Sequence, residues 1–127
     1  MNDNFMPKGV KIVALAGENA TQNKAAQIVN RELMQKDINV RIIGINIRED
    51  DFGFFISNLK NSKVEATIFM PEFQKKAAGY FKTEGFLSAV YKKEEGFFHI
   101  LNDEIQIVDD GMLIKIIEKI GEENGSI

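Results

Sequence analysis

Residues 10–30 read VKIVALAGENATQNKAAQIVN, and this stretch decides the fold. Val10, Ile12, Val13, Ala14, Leu15 and Ala16 make an almost unbroken apolar run. A strand covered on both faces, as in a parallel sheet, has this composition. Gly17 ends the run, and from Ala20 the spacing turns helical. Ile28, Val29 and Leu33 then share a face with Ala25 and Ala26. Strand, Gly-led polar loop and helix in that order put the loop at the carboxyl edge of a sheet, where α/β proteins bind ligands. The loop Gly17–Lys24 has two readings. Asn19, Thr21, Gln22 and Asn23 offer donors near a helix N-terminus and suit a ligand. The same loop equally suits simple capping, with Thr21 or Asn19 as N-cap.

On this reading the first strand covers Val10–Ala16 and the first helix Ala20–Lys36. Asp37-Ile38-Asn39 turns the chain into a second strand, Val40–Ile47, rich in β-branched residues. Arg48-Glu49-Asp50-Asp51 sets acids at the start of a second helix, where its dipole favours them. That helix runs to Lys60 with Phe52, Phe55, Ile56 and Leu59 on one stripe, and Phe54 off it as a hint of a partner surface. A third strand, Val64–Met70, stops at Pro71, and Glu72–Lys82 gives a third helix.

Beyond that point the rhythm changes. Phe86–Lys92 and Phe97–Leu101 flank the turn Lys93-Glu94-Glu95-Gly96 and read as a hairpin, with His99 an exposed strand residue. Glu104–Val108 reads as another short strand. Asp109-Asp110-Gly111 opens a last helix, whose core face is Leu113, Ile116, Ile117 and Ile120. The whole predicts an open three-layer α/β/α domain, mostly parallel in its sheet, with an antiparallel hairpin late in the chain. Residues 1–9 read as a flexible N-terminal end, 10–120 as one domain and 121–127 as a polar tail.

The 127 residues are 44% apolar, enough for one core. A net charge of −3 and a pI near 5.2 leave no basic footprint for nucleic acid. With no cysteine and one histidine, disulfides and thiolate chemistry are excluded and no metal site is expected. No apolar run approaches the length of a membrane span and no apolar leader opens the chain, so a cytoplasmic protein without a membrane partner is expected.

Four segments carry a resemblance to a known family. Gly17 is followed by Asn23-Lys24-Ala25-Ala26 and then Val29-Asn30. The third strand ends Thr67-Ile68-Phe69-Met70-Pro71-Glu72-Phe73. The hairpin opens Glu84-Gly85-Phe86-Leu87-Ser88-Ala89, and the last helix is announced by Val108-Asp109-Asp110-Gly111. In layout this resembles the N-terminal, substrate-binding domain of shikimate and quinate dehydrogenases, over Val10–Ile120. The family's motifs at those places are Ser-x-Ser-Pro with His-Asn, Asn-Val-Thr-x-Pro-x-Lys, Ala-Gly-Ala-Val-Asn-Thr and Asn-Thr-Asp-Gly.

In that family the Ser hydroxyls hold the substrate carboxylate, Asn and Thr bind ring hydroxyls, and Lys and Asp work on the hydroxyl that is oxidised. The resemblance therefore implies Asn23, Thr67, Ser88 and Asp110 as ligand-binding residues, with Asp110 also catalytic. It equally implies a degenerate site: Ala25, Phe69 and Phe73 stand where Ser, Thr and Lys belong. Phe69 and Phe73 are expected to fill the former pocket, and Asp110 to cap its helix.

The family pairs this domain with a nucleotide-binding one, and no G-x-G-x-x-G occurs here, so no cofactor is expected in this chain. The expectation is a stand-alone small-molecule-binding or interaction module without dehydrogenase activity of its own. Its partner would be a small carboxylate, another protein or a second copy. Two other readings stay open. One is the substrate-binding part of a shikimate 5-dehydrogenase-type, NADP-dependent oxidoreductase of aromatic amino-acid (chorismate) biosynthesis, with its NADP domain on another chain or a missing C-terminal part. The other is an unrelated flavodoxin-like binding domain.

Overall fold

The computed structural model describes residues 9–124. Most of the expected flexible N-terminal end, residues 1–8, lies outside the described residues, as do residues 125–127 of the expected tail. Five strands, β1 (Lys11–Gly17), β2 (Val40–Asn46), β3 (Val64–Phe69), β4 (Phe86–Lys92) and β5 (Phe97–Asn102), form one sheet. Its order is β2-β1-β3-β4-β5. β1 pairs in parallel with β2 and β3, β3 pairs antiparallel with β4, and β4 antiparallel with β5. Only β4 is reversed, so the sheet is mostly parallel and the late hairpin is antiparallel. The helices are α1 (Lys24–Gln35), α2 (Phe52–Asn58), α3 (Pro71–Tyr80) and α4 (Asp110–Asn124). α4 thus carries the chain through residues 121–124, the first part of the expected tail.

Two cores sandwich the sheet. On one face Val29 and Leu33 of α1 meet Leu113, Ile116 and Ile117 of α4 over Val13, Leu15 and Ile68. On the other, Phe52 and Leu59 meet Phe73, Ala77 and Ala78 of α3 over Ala16, Phe69 and Leu87. β1 feeds both cores, which is why its sequence is apolar without alternation. Phe52, wholly buried, stacks on Phe73 with ring centroids 4.4 Å apart and meets Phe69 edge-on at 5.8 Å. Ile28, expected on the core stripe of the first helix, is instead 43% exposed; the stripe is Ala26, Val29 and Leu33.

Local chemistry fixes the helix ends. α1 starts at Lys24, after a separate 3-10 turn at Ala20–Gln22, so the expected start at Ala20 is too early. Its N-cap is Asn23, whose Oδ1 accepts the Ala26 N–H at 2.9 Å; Thr21 and Asn19 do not cap it. α1 and α3 both end in Schellman turns, with Asp37 and Lys82 in the left-handed region. The closing bonds run from Ile38 N–H to the Leu33 carbonyl and from Thr83 N–H to the Ala78 carbonyl. Asn30 ties α1 to β2, donating to the Ile42 carbonyl at 2.8 Å and accepting from the Ile42 N–H at 2.7 Å.

Glu104–Val108 is not a strand. Its central residue, Gln106, pairs with a side chain instead. Gln74 of α3, wholly buried, donates to the Gln106 carbonyl at 2.7 Å and accepts from the Gln106 N–H at 2.7 Å. His99 is half-buried against Phe81, with ring centroids 5.5 Å apart, and not exposed as expected. Among the described residues, no helix is long and apolar enough to cross a membrane.

Candidate functional site

In the order β2-β1-β3 the chain changes direction between β1 and β3, and α/β sheets bind ligands in the crevice beyond such strand ends. Here the residues just after β3 close that crevice. A Cβ at Gly17 would lie 2.9 Å from Met70 Cβ and 3.0 Å from a Glu72 carboxylate oxygen. The same Glu72 carboxylate accepts the Glu18 N–H at 2.9 Å. Asn23 spends its oxygen on the cap and turns its amide nitrogen toward Met70 Sδ at 3.8 Å. Thr21 is bonded to Asn46 through both its N–H and its hydroxyl. The polar groups of the first loop are therefore bonded to Glu72, Asn46 and the start of α1, with Met70 and Glu72 packed against Gly17.

The open space lies across β3, beside α4. A cavity of about 540 Å³ is bounded by Ser88 and Asn102 from the hairpin, Gln106 and Asp109 from the connection, and Met112 and Lys115 from α4. Ser88 reaches it because β4 is irregular there. Leu87 pairs with Leu101 and Ala89 with Ile100, which leaves Ser88 as the extra residue of a β-bulge. Bulges re-aim side chains, and this one gives Leu87 to the α3 face and Ala89 to the α4 face. The Ser88 side chain, 1% exposed, receives a hydrogen bond from the Asn102 amide. That leaves Asn102 Oδ1 as an acceptor at the cavity wall. Lys115 and Lys119, one turn apart on α4, are both exposed at the same cavity.

The four residues implied by the resemblance are thus not gathered together. Ser88 lines the cavity. Asp110 is exposed as the first residue of α4, and among the described residues its side chain accepts only from its neighbour, the Gly111 N–H, at 3.1 Å. The capping side chain is Asp109, which accepts the Met112 N–H at 2.8 Å and lines the cavity itself; the cap expected of Asp110 belongs one residue earlier. Asn23 stays at the closed crevice. Thr67, 1% exposed, pairs with Val90 and shares its α3-side face. Phe69 and Phe73 are both buried in that same core. Among the described residues, no three His, Asp or Glu side chains gather where a metal ion could sit.

Sequence reasoning missed Met70, Gln74, Asn102, Lys115 and Lys119. Gln74 had a signal: it is a polar residue on the stripe it shares with Ala77 and Ala78, which face the core. Lys115 and Lys119 had one too, at four-residue spacing beside Ile116 and Ile120. Met70 had none, because the residue before a helical Pro is free in type.

The architecture defines an α/β domain in which three parallel strands are followed by an antiparallel hairpin. Solved structures similar to it in fold include shikimate dehydrogenases and a 5-ketofructose reductase. Shikimate dehydrogenase 1 from Peptoclostridium difficile matches 72% of this chain and 37% of its own, with a TM-score of 0.62 and 14% identity. Shikimate 5-dehydrogenase from Listeria monocytogenes, solved with shikimate and NAD, matches 91% of this chain and 40% of its own, with a TM-score of 0.57 and 7% identity. The 5-ketofructose reductase of Gluconobacter sp. strain CHM43 gives a TM-score of 0.63, 9% identity, and coverage of 73% and 36%. The chain therefore spans about two fifths or less of the proteins it matches, and at these identities the likeness is one of fold. No family model and no curated protein matches the sequence.

Proposed function

We propose that this chain is a small-molecule-binding module on a shikimate dehydrogenase-like fold, without dehydrogenase activity of its own, and that it holds a small carboxylate in the cavity beside α4. The observation that carries the reading is the bulge at Ser88, which turns a buried hydroxyl toward that cavity while the crevice at β1 and β3 is closed. Lys115 and Lys119 suit a carboxylate, Met112 and Ile116 suit an apolar body, and Asn102 Oδ1 accepts from a hydroxyl. Phe73, 2% exposed, stands in place of a proton-transferring lysine, and losing such a group typically costs ~10²–10⁴-fold in rate.

Nuclear magnetic resonance titration with benzoate and with shikimate tests the reading. Benzoate should shift Ser88, Asn102 and Lys115 saturably and leave Gly17 and Glu18 in place. Shifts centred on Gly17 and Asn23 would refute it. No NADP-dependent oxidation of shikimate or quinate is expected from the purified chain.

A second reading is the substrate-binding part of a dehydrogenase whose cofactor domain lies elsewhere. What favours it is that the matched proteins are oxidoreductases and this chain spans 35–40% of several of them. Shikimate turnover on adding a separate nucleotide-binding domain would select it. The flavodoxin-like alternative is disfavoured by β4, which runs against its neighbours where that fold keeps its strands parallel.

A further inference from the structure

The cavity beside α4 carries charge of opposite sign at its two ends. Asp109 bounds it at the start of the helix, and Lys115 and Lys119 bound it further along. At about 1.5 Å of rise per residue, Asp109 and Lys115 are about 9 Å apart along the axis. Met112 and Ile116 lie on that side of α4, and Ile100 faces them from the hairpin, so the stretch beside the charges is apolar. Asp109 spends Oδ1 on the α4 cap, and its second oxygen has no hydrogen bond or ion pair among the described residues. The neighbouring charges strengthen the division. The connection from β5 to α4 also brings Asp103, Glu104 and Asp110, all exposed, to the Asp109 end. Glu118, between the two lysines in sequence, lines a separate notch against α1.

We infer that the ligand of this cavity is a zwitterion whose ammonium and carboxylate are held apart by an apolar body, the class of the ω-amino acids and aminomethylbenzoates. The inference rests on the carboxylate reading above and adds a cation at the Asp109 end. The carboxylate meets Lys115 and Lys119, the body lies on Met112 and Ile116, and the ammonium meets the second oxygen of Asp109. Side chains on a helix lean toward its N-terminus, so the Lys115 ammonium closes part of the gap and leaves a span suited to a benzene ring with its charged groups para. Simpler charge patterns each leave one end mismatched. A plain carboxylate leaves Asp109 without a counter-charge, a dicarboxylate sets like charge against it, and a diamine sets like charge against the lysines. The helix dipole, roughly half a positive charge at the start of α4, works against an ammonium there. Asp109 and Asp110 are both carboxylates at that helix end, and their charge outweighs it.

Nuclear magnetic resonance titration with two benzoates of one shape, 4-(aminomethyl)benzoate and 4-ethylbenzoate, tests the inference at neutral pH and low salt. The ammonium compound should bind about two- to fivefold more tightly, the size of one exposed ion pair, although its ethyl twin is the more apolar. It should also shift Asp109 further than the twin does. Asp109→Asn and Asp109→Ser each keep a capping oxygen and remove the charge, so both should abolish the preference while the circular dichroism spectrum is unchanged. The readout is the ratio of the two affinities, which a general loss of binding does not move. Failure separates the two readings. If 4-ethylbenzoate shifts Ser88 and Lys115 saturably and the ammonium compound binds no more tightly, the carboxylate reading stands and the zwitterion is overturned. A preference that survives both Asp109 variants overturns it too. If neither compound shifts Ser88 or Lys115, both readings fall together.

Discussion

The two halves of the sheet treat the same task differently. Beyond β1 and β3, Met70 and Glu72 pack against Gly17, and the loop's polar groups are bonded to Glu72, Met70 and Asn46. Beside β4 and β5 the surface is open, and a bulge spends one residue to aim Ser88 into the space. A parallel α/β fold makes its ligand crevice by topology, but side chains decide whether the crevice survives. The antiparallel hairpin makes no such crevice by default. Its cavity comes from one register slip and lies beside a connection that Gln74 ties to the end of β3.

The harshest test of this contrast is a pair of core truncations. Phe52→Ala removes a ring buried against Phe69 and Phe73 in the closed half and should cost about 3–5 kcal/mol in urea unfolding. Ile100→Ala, at the wall of the existing cavity, is half-buried and should cost clearly less. Equal costs would mean that the two halves are packed alike.

Next in size is Gln74→Leu, which keeps the bulk of the side chain and removes its amide. The Gln106 N–H and carbonyl then lose their partner, and because Gln106 is only half-buried at the cavity the loss falls toward the low end of the ~1–3 kcal/mol that a buried orphan costs. Hydrogen exchange at Gln106 should accelerate, while exchange in β1 keeps its protection relative to global unfolding. If Gln106 stays as protected as before, the connection is held by something other than Gln74.

Gly17→Ala probes the closed crevice directly. The added methyl meets Met70 Cβ at 2.9 Å, an overpacking expected to cost about 1–3 kcal/mol. Combining it with Met70→Ala should recover part of that loss, because Met70 Cγ, the atom nearest the added methyl, is then gone while Cβ remains. Strict additivity in the double-mutant cycle would show that the Met70 side chain is not what fills the space.

The legible part of the fold was the part written in periodicity. The bare apolar run of β1 announced a strand between two cores, and the i, i+3, i+4, i+7 face of α4 is buried as its spacing required. The hairpin turn was legible from Gly96, which adopts a positive φ of 81°. Partners distant in sequence were not legible. Alternation at Glu104–Val108 implied a strand, yet its two central apolar residues, Ile105 and Ile107, point outward at 54% and 72% exposure. The segment's backbone is matched by a Gln side chain on another helix, and no local pattern encodes that. The site suffered in the same way. Ser88 was implied by resemblance, but its aim depends on a bulge, and the cap fell to Asp109 because helix registers are decided by geometry within one residue.

The smallest expected effect on stability discriminates most for function. Lys115 and Lys119 are exposed on α4, and neither makes a hydrogen bond or an ion pair among the described residues. Replacing either by Ala should leave the unfolding midpoint nearly unchanged, within about 0.5 kcal/mol. Their only use at this cavity is then their charge. An exposed ammonium contributes modestly to an ion pair, so each substitution should weaken benzoate binding about two- to fivefold. Added salt should shrink that difference, because screening acts on exposed charges. Arg substitutions should restore affinity, since the charge returns on a longer stem. An equal benzoate affinity in the double Ala variant, at low salt, would show that the lysine charges do not hold the carboxylate and would leave that task to Ser88 and Asn102.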